Sequence, residues 1–186
     1  PESGRHFPKE KCQTLLEMKA LGVIPARYGS TRLAAKALAN LHGIPLIQHV
    51  YQQASKAGRL SAVVVATDDT RIVEAVSRFG GQAVMTNPNH RSGTDRVAEV
   101  ARGRDEQVIL NIQGDEPMIH PEQIDAVAAF LLDHPAVPMA TIMTPLARRE
   151  DAANPNVVKV VVDQDGYALY FSRSPIPFAR QGEPAY

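Results

Sequence analysis

Short apolar runs at residues 20–24, 62–66, 82–85, 108–113 and 139–143 alternate with stretches of helical period, and this alternation limits the fold more than any other feature. The helical stretches are amphipathic. Leu46, Val50, Ala54 and Ala57 share one face of a segment over 45–57, with Pro45 suited to a first helical turn. Ile72, Val73, Val76 and Phe79 repeat the pattern, as do Val97, Val100 and Ala101. Over 121–133, Ile124, Val127, Ala128, Leu131 and Leu132 form a single stripe. Strand–helix alternation of this kind predicts an α/β fold, a mainly parallel sheet with helices on both faces.

Beyond Thr144 the pattern changes. Two strand-like runs, 157–162 and 167–172, flank Asp163-Gln164-Asp165-Gly166, which predicts a β-hairpin. The last fourteen residues carry Pro175, Pro177 and Pro184 without a further element, which reads as a shortened carboxyl end. At the other end, residues 1–17 are polar and lack the apolar stretch of a secretory signal, while Met18 directly precedes the first strand. The expected organisation is therefore an amino-terminal extension over 1–17 and one domain over 18–186. A docking helix over 12–18 is the alternative.

Composition excludes several function classes. The 186 residues include 20 basic and 20 acidic side chains, so neither a long nucleic-acid footprint nor a polybasic membrane patch is expected. The single cysteine, Cys12, cannot pair within the chain, which fits a reducing compartment. No apolar run is long enough to span a bilayer, and no Cys/His spacing resembles a zinc site.

Polar clusters fall where parallel strands end, the usual ligand position in open α/β sheets. After the first strand come Arg27, Arg32 and Lys36, with Gly29, Ser30 and Thr31. Three cations and free backbone amides suit a triphosphate, although a solvated surface loop would show the same composition. After the second strand, Asp69 or Thr70 reads as a helix N-cap, and Asp68 is left without a role. His90-Arg91-Ser92-Gly93-Thr94-Asp95-Arg96 combines a glycine, which lets backbone approach a flat base, with hydroxyls that bond or cap. Capping does not explain the flanking Arg91 and Arg96. Finally, Gln113-Gly114-Asp115-Glu116-Pro117 ends a buried strand, where Asp115 can hold Mg²⁺ against phosphates and Gln113 can reach a sugar hydroxyl. A plain turn is the alternative for Asp115, more so for Glu116.

Together these segments resemble the 3-deoxy-manno-octulosonate cytidylyltransferase (CMP-KDO synthetase) family, from Leu21 to about Arg180. The anchors are Ile-Pro-Ala-Arg-Tyr-Gly-Ser-Thr-Arg-Leu (24–33), His-Arg-Ser-Gly-Thr-Asp-Arg (90–96), Gln-Gly-Asp-Glu-Pro (113–117), Asn-Pro-Asn-Val-Val-Lys (154–159) and Ala-Leu-Tyr-Phe-Ser-Arg-Ser-Pro-Ile-Pro (168–177). The resemblance implies a Rossmann-like nucleotidyltransferase fold, Mg²⁺ dependence, a homodimer, and a cytoplasmic role in lipopolysaccharide biosynthesis. The implied reaction joins CTP and KDO into CMP-KDO and pyrophosphate. It further implies that Pro25, Ala26, Arg27, Ser30, Arg32 and Lys36 hold the nucleotide, with Lys36, Arg32 and Asp115 catalytic and Asp115 also the metal ligand. Arg91, Ser92, Gly93 and Thr94 would bind cytidine, Gln113 would serve nucleotide and sugar, and Arg173 would pair with the sugar carboxylate.

Two departures from the family pattern stand out. Where the family has Leu-Pro-Gly-Lys-Pro-Leu, this chain reads Leu33-Ala34-Ala35-Lys36-Ala37-Leu38. If position 35 needs positive φ, alanine there is strained and CTP binding is weakened, with a more mobile or more helical loop. Family members also continue past residue 177 with further sugar-binding groups, a second metal-binding aspartate and dimer contacts. A related CMP-sialic acid type synthetase and a non-catalytic nucleotide-binding homologue are the alternative readings.

Overall fold

The computed structural model describes residues 20–29, 35–178 and 180. The expected extension over 1–17, Ser30 and Arg32 lie outside them. The chain divides into two compact units between Ala140 and Thr141.

The first unit is built on a four-stranded parallel sheet of order β5-β4-β1-β6. Its strands are β1 (Ala20–Ala26), β4 (Leu60–Thr67), β5 (Ala83–Met85) and β6 (Val108–Asn111). Two two-residue strands, β2 (Asn40–Leu41) and β3 (Ile44–Pro45), form a small hairpin that the hydrophobic pattern did not foretell. Helices α1 (Leu46–Ala54), α2 (Thr70–Arg78), α3 (Gly93–Ala101) and α4 (Pro121–Asp133) connect or follow the strands.

Side-chain parity along the strands creates two cores. Ile24 and Ala26 of β1, Val63 and Val65 of β4 and Val108 and Leu110 of β6 face one way, against Ile47 and Val50 of α1, Ile72 and Val76 of α2, and Ile124 and Ala128 of α4. Leu21, Val23, Val64 and Ala66 face the other way, onto Val97 and Val100 of α3. Helices on both faces of a parallel sheet are thus observed, as expected. Each fully buried Ile or Val contributes about 2 kcal/mol relative to exposure.

Caps set the helix starts. Asp69 accepts a hydrogen bond from the Arg71 amide at 2.9 Å, so its expected capping role is met. The Arg71 side chain also grips Asp69, which holds that carboxyl below its usual range. Pro121 occupies the first turn of α4, and the His120 amide donates to Gln123 Oε1 at 3.2 Å.

In the second unit, β7 (Lys159–Val162) and β8 (Ala168–Ser172) form the expected antiparallel hairpin. The strand expected over 139–143 is absent: these residues are irregular, with Met139 82% exposed and Ile142 and Met143 also at the surface. An apolar run becomes a strand only where an edge offers hydrogen-bond partners, and among the described residues none pairs with this one.

Candidate active site

The strand order reverses at β1: the chain runs outward through β4 and β5, then returns to place β6 on the other side. The crevice at the carboxyl ends beside such a reversal is where open α/β sheets take ligands. There Lys36, beginning a 3₁₀ turn over Lys36–Leu38, meets Asp115, which follows β6. The Lys36 Nζ donates to Asp115 Oδ2 at 2.6 Å, across 79 residues of sequence. Their side chains are 43% and 52% exposed, so both groups face solvent.

Close backbone packing brings the other segments to the same place. A Cβ added at Gly114 would lie 2.9 Å from the Pro25 carbonyl oxygen, and one at Gly93 would lie 3.2 Å from Pro25 Cγ. Gly114 needs a residue without a side chain because the Pro25 backbone sits against it, whereas a Cβ at Gly93 would require the Pro25 ring to give by a few tenths of an ångström. Pro25 is therefore the point on which the Ser92–Thr94 and Gln113–Asp115 segments converge. Ala26 is buried beside it, while Arg27 is exposed just past the strand.

Ala35 has φ 55° and ψ 27°, the left-handed conformation considered in the sequence. Its amide donates to the Tyr28 carbonyl at 2.8 Å, which fixes that backbone geometry. Alanine is strained there and glycine is not. Ala35→Gly is expected to raise stability by about 1 kcal/mol, read as a shift of the urea midpoint at constant slope. An unchanged or lowered midpoint would remove strain from the account of this loop. Tyr28 is also held from outside the loop: the Arg71 guanidinium carbon lies 3.3 Å from its ring centroid.

Ser92 turns out to be a helix cap. Its hydroxyl accepts from the Asp95 amide at 3.1 Å and donates to Asp95 Oδ2 at 2.8 Å, which keeps the Asp95 carboxyl below its usual range. Arg91 and Thr94 are exposed beside it. Gln113 is exposed too, its Nε2 donating to Asn111 Oδ1 at 3.4 Å.

Arg96 and Asp68 had no assigned role, and the structure gives them one. Arg96 is fully buried, its Nη2 donating to Asp68 Oδ2 at 2.8 Å and its Nη1 to Thr86 Oγ1. Thr86 in turn donates to the Thr67 carbonyl through Oγ1 and N–H at 2.9 and 2.8 Å. The network ties the first turn of α3 to the ends of β4 and β5. A sequence signal existed: Arg96 lies one turn before Val100 on the buried stripe, where a charge needs a buried partner.

Arg173 belongs to the second unit, where its Nη1 donates to the Pro155 carbonyl at 2.8 Å.

A family model for cytidylyltransferases matches residues 21–185. The chain belongs to that family. Within it, the chain is 52% identical over 163 residues to the 3-deoxy-manno-octulosonate cytidylyltransferase of Trichlorobacter lovleyi, covering 88% of this chain and 65% of the relative. With the enzyme of the same name from Desulfosudis oleivorans it shares 51% identity over 172 residues, covering 91% of this chain and 69% of the relative. Among solved structures, CMP:2-keto-3-deoxy-manno-octonic acid synthetase complexed with CTP superposes with a TM-score of 0.81 at 48% identity, covering 90% of this chain and 69% of that one. These likenesses place the chain in the 3-deoxy-manno-octulosonate branch of the cytidylyltransferases, with the nucleotidyltransferase fold expected from the sequence. No described helix is long and apolar enough to cross a membrane.

Proposed function

We propose that this chain carries the nucleotidyl-transfer site of an enzyme that moves CMP from CTP to KDO, releasing pyrophosphate. The meeting of Lys36 and Asp115 beside the end of β1 carries this reading. An exposed ion pair is worth at most about 1 kcal/mol, so a triphosphate can separate the two charges at little cost. Lys36 then faces the phosphates and balances charge on the departing pyrophosphate, a task shared with Arg27 and with Arg32, which lies outside the described residues. The anomeric hydroxyl of KDO bonds to the α-phosphorus as the bond to the β-phosphate oxygen breaks, and its proton passes to solvent. Arg91 and Thr94, with the backbone at Ser92 and Gly93, serve cytidine. Gln113 serves the sugar and Arg173 its carboxylate, through a planar fork suited to two oxygens.

Among the described residues no group of three or more acidic, histidine or cysteine side chains could hold a metal by itself. The single carboxylate of Asp115 suits Mg²⁺, which commonly takes one or two carboxylates and completes its shell with water and substrate phosphates. Asp115 would be the protein ligand, and bound Mg²⁺ would supply charge neutralisation at the triphosphate. A homodimer working in the cytoplasm for lipopolysaccharide assembly completes the proposal.

Pyrophosphate release with CTP, KDO and Mg²⁺, with CTP alone as control, tests it. Release that depends on KDO is the expected outcome. CTP binding without release would instead favour a nucleotide-binding homologue that has lost turnover.

A further inference from the structure

Lys159 opens β7 with only 6% of its surface exposed. Its ammonium donates to the carbonyls of Asn154, Val157 and Arg173 at 2.9, 2.7 and 2.6 Å. An ammonium has three N–H donors, and here each has its own acceptor. Among the described residues no carboxylate pairs with it. A buried cation is costly unless fully solvated by partners, so the three carbonyl dipoles are what keep this one in place.

The same turn also holds the Arg173 side chain. Lys159 clasps the turn at Asn154 and Val157, and Arg173 Nη1 bonds the Pro155 carbonyl between them. Two further bonds close the turn: the Val157 amide to the Asn154 carbonyl at 3.1 Å and the Asn156 amide to Asn154 Oδ1 at 2.9 Å. Arg173 is thus fixed at its main chain by Lys159 and at its guanidinium by the turn that Lys159 clasps.

We infer that Lys159 is a positioning residue for Arg173, presenting that guanidinium to the carboxylate of an acidic sugar it does not itself touch. The inference rests on the proposed role of Arg173. It explains why a lysine should be buried in a small hairpin unit where an apolar residue would fold more simply. It also predicts that affinity for the acidic sugar and affinity for the nucleotide can be separated by one substitution.

The experiment compares the full chain with Lys159→Met, which keeps length without charge, and Lys159→Gln, which keeps N–H donors with shorter reach. Steady-state pyrophosphate release gives KM for KDO and for CTP, and hydrogen exchange follows the amides of residues 154–174. In Lys159→Met, KM for KDO is expected to rise roughly tenfold or more, with KM for CTP changed less than about twofold and the hairpin amides exchanging faster. Lys159→Gln should lie between. If both KM values rise together, or KM for KDO stays put while the hairpin loosens, Lys159 is structural only and the inference fails. If the hairpin amides are unaffected, the clasp itself is wrong, whatever the kinetics. Absence of KDO-dependent release in the unsubstituted chain would overturn the reading of the reaction, while the exchange data would still decide the clasp.

Discussion

Replacing Lys36 by methionine, or Asp115 by asparagine, is expected to lower KDO-dependent pyrophosphate release by roughly 10²–10³-fold while the fold stays intact. The size follows from the task assigned to each group. Phosphoryl and nucleotidyl transfer ask little covalent chemistry of a protein, so the loss of one charge aimed at the triphosphate removes a large part of the catalysis. The preservation of the fold follows from exposure. Both side chains face solvent, and an exposed pair contributes at most about 1 kcal/mol, which shifts Tm by no more than about 2–4 °C for a chain of this size. Measured together, turnover and melting separate the two effects. Full turnover in either variant would remove that residue from the site. A melting shift as large as that of a core substitution would mean the pair is structural.

The opposite pattern is expected at Asp68. Asp68→Ala should destabilise the chain by about 3–5 kcal/mol, read from the urea midpoint, because it leaves a fully buried guanidinium with no carboxylate. Arg96→Met should cost clearly less. The methionine fills much of the same volume without charge, and the carboxylate left behind is not sealed off, since the Asp68 side chain is 17% exposed. The asymmetry is the informative part: a charge stranded in the interior is worse than one stranded near water. If Arg96→Met proves the more damaging of the two, the buried-pair account of α3 is wrong and its packing volume dominates instead.

Periodicity carried most of the fold. The strands and helices of the first unit were legible because their apolar residues repeat at two or at three-to-four, and the Asp163–Gly166 turn announced the hairpin. Residues 139–143 were misread because composition reports what an element could bury, whereas a strand also needs a free edge beside it. The β2–β3 hairpin was invisible for the complementary reason: at two residues per strand it has no period. In the site, Asp69 was recognisable as a cap from its place alone, and the strain at Ala35 from the one residue type that would relieve it. The partnership of Asp68 with Arg96 was not legible, since 28 residues separate them and only the packing of α3 across the sheet brings them together. The capping use of the Ser92 hydroxyl shows the same limit: one atom cannot be assigned until its neighbours are fixed.

The convergence on Pro25 has a consequence for the order in which the protein is made. Gly93 and Gly114 both lie against Pro25, yet the three leave the ribosome at widely separated moments. A nascent chain that has emerged as far as β5 already carries Arg27 and Lys36 but has no β6 to bring Asp115 beside them. Parallel pairing of Ala20 with Val108 is a late and distant closure. On the proposed reading, nucleotide capture waits for the finished sheet, and a bound triphosphate would report that β6 has found its place.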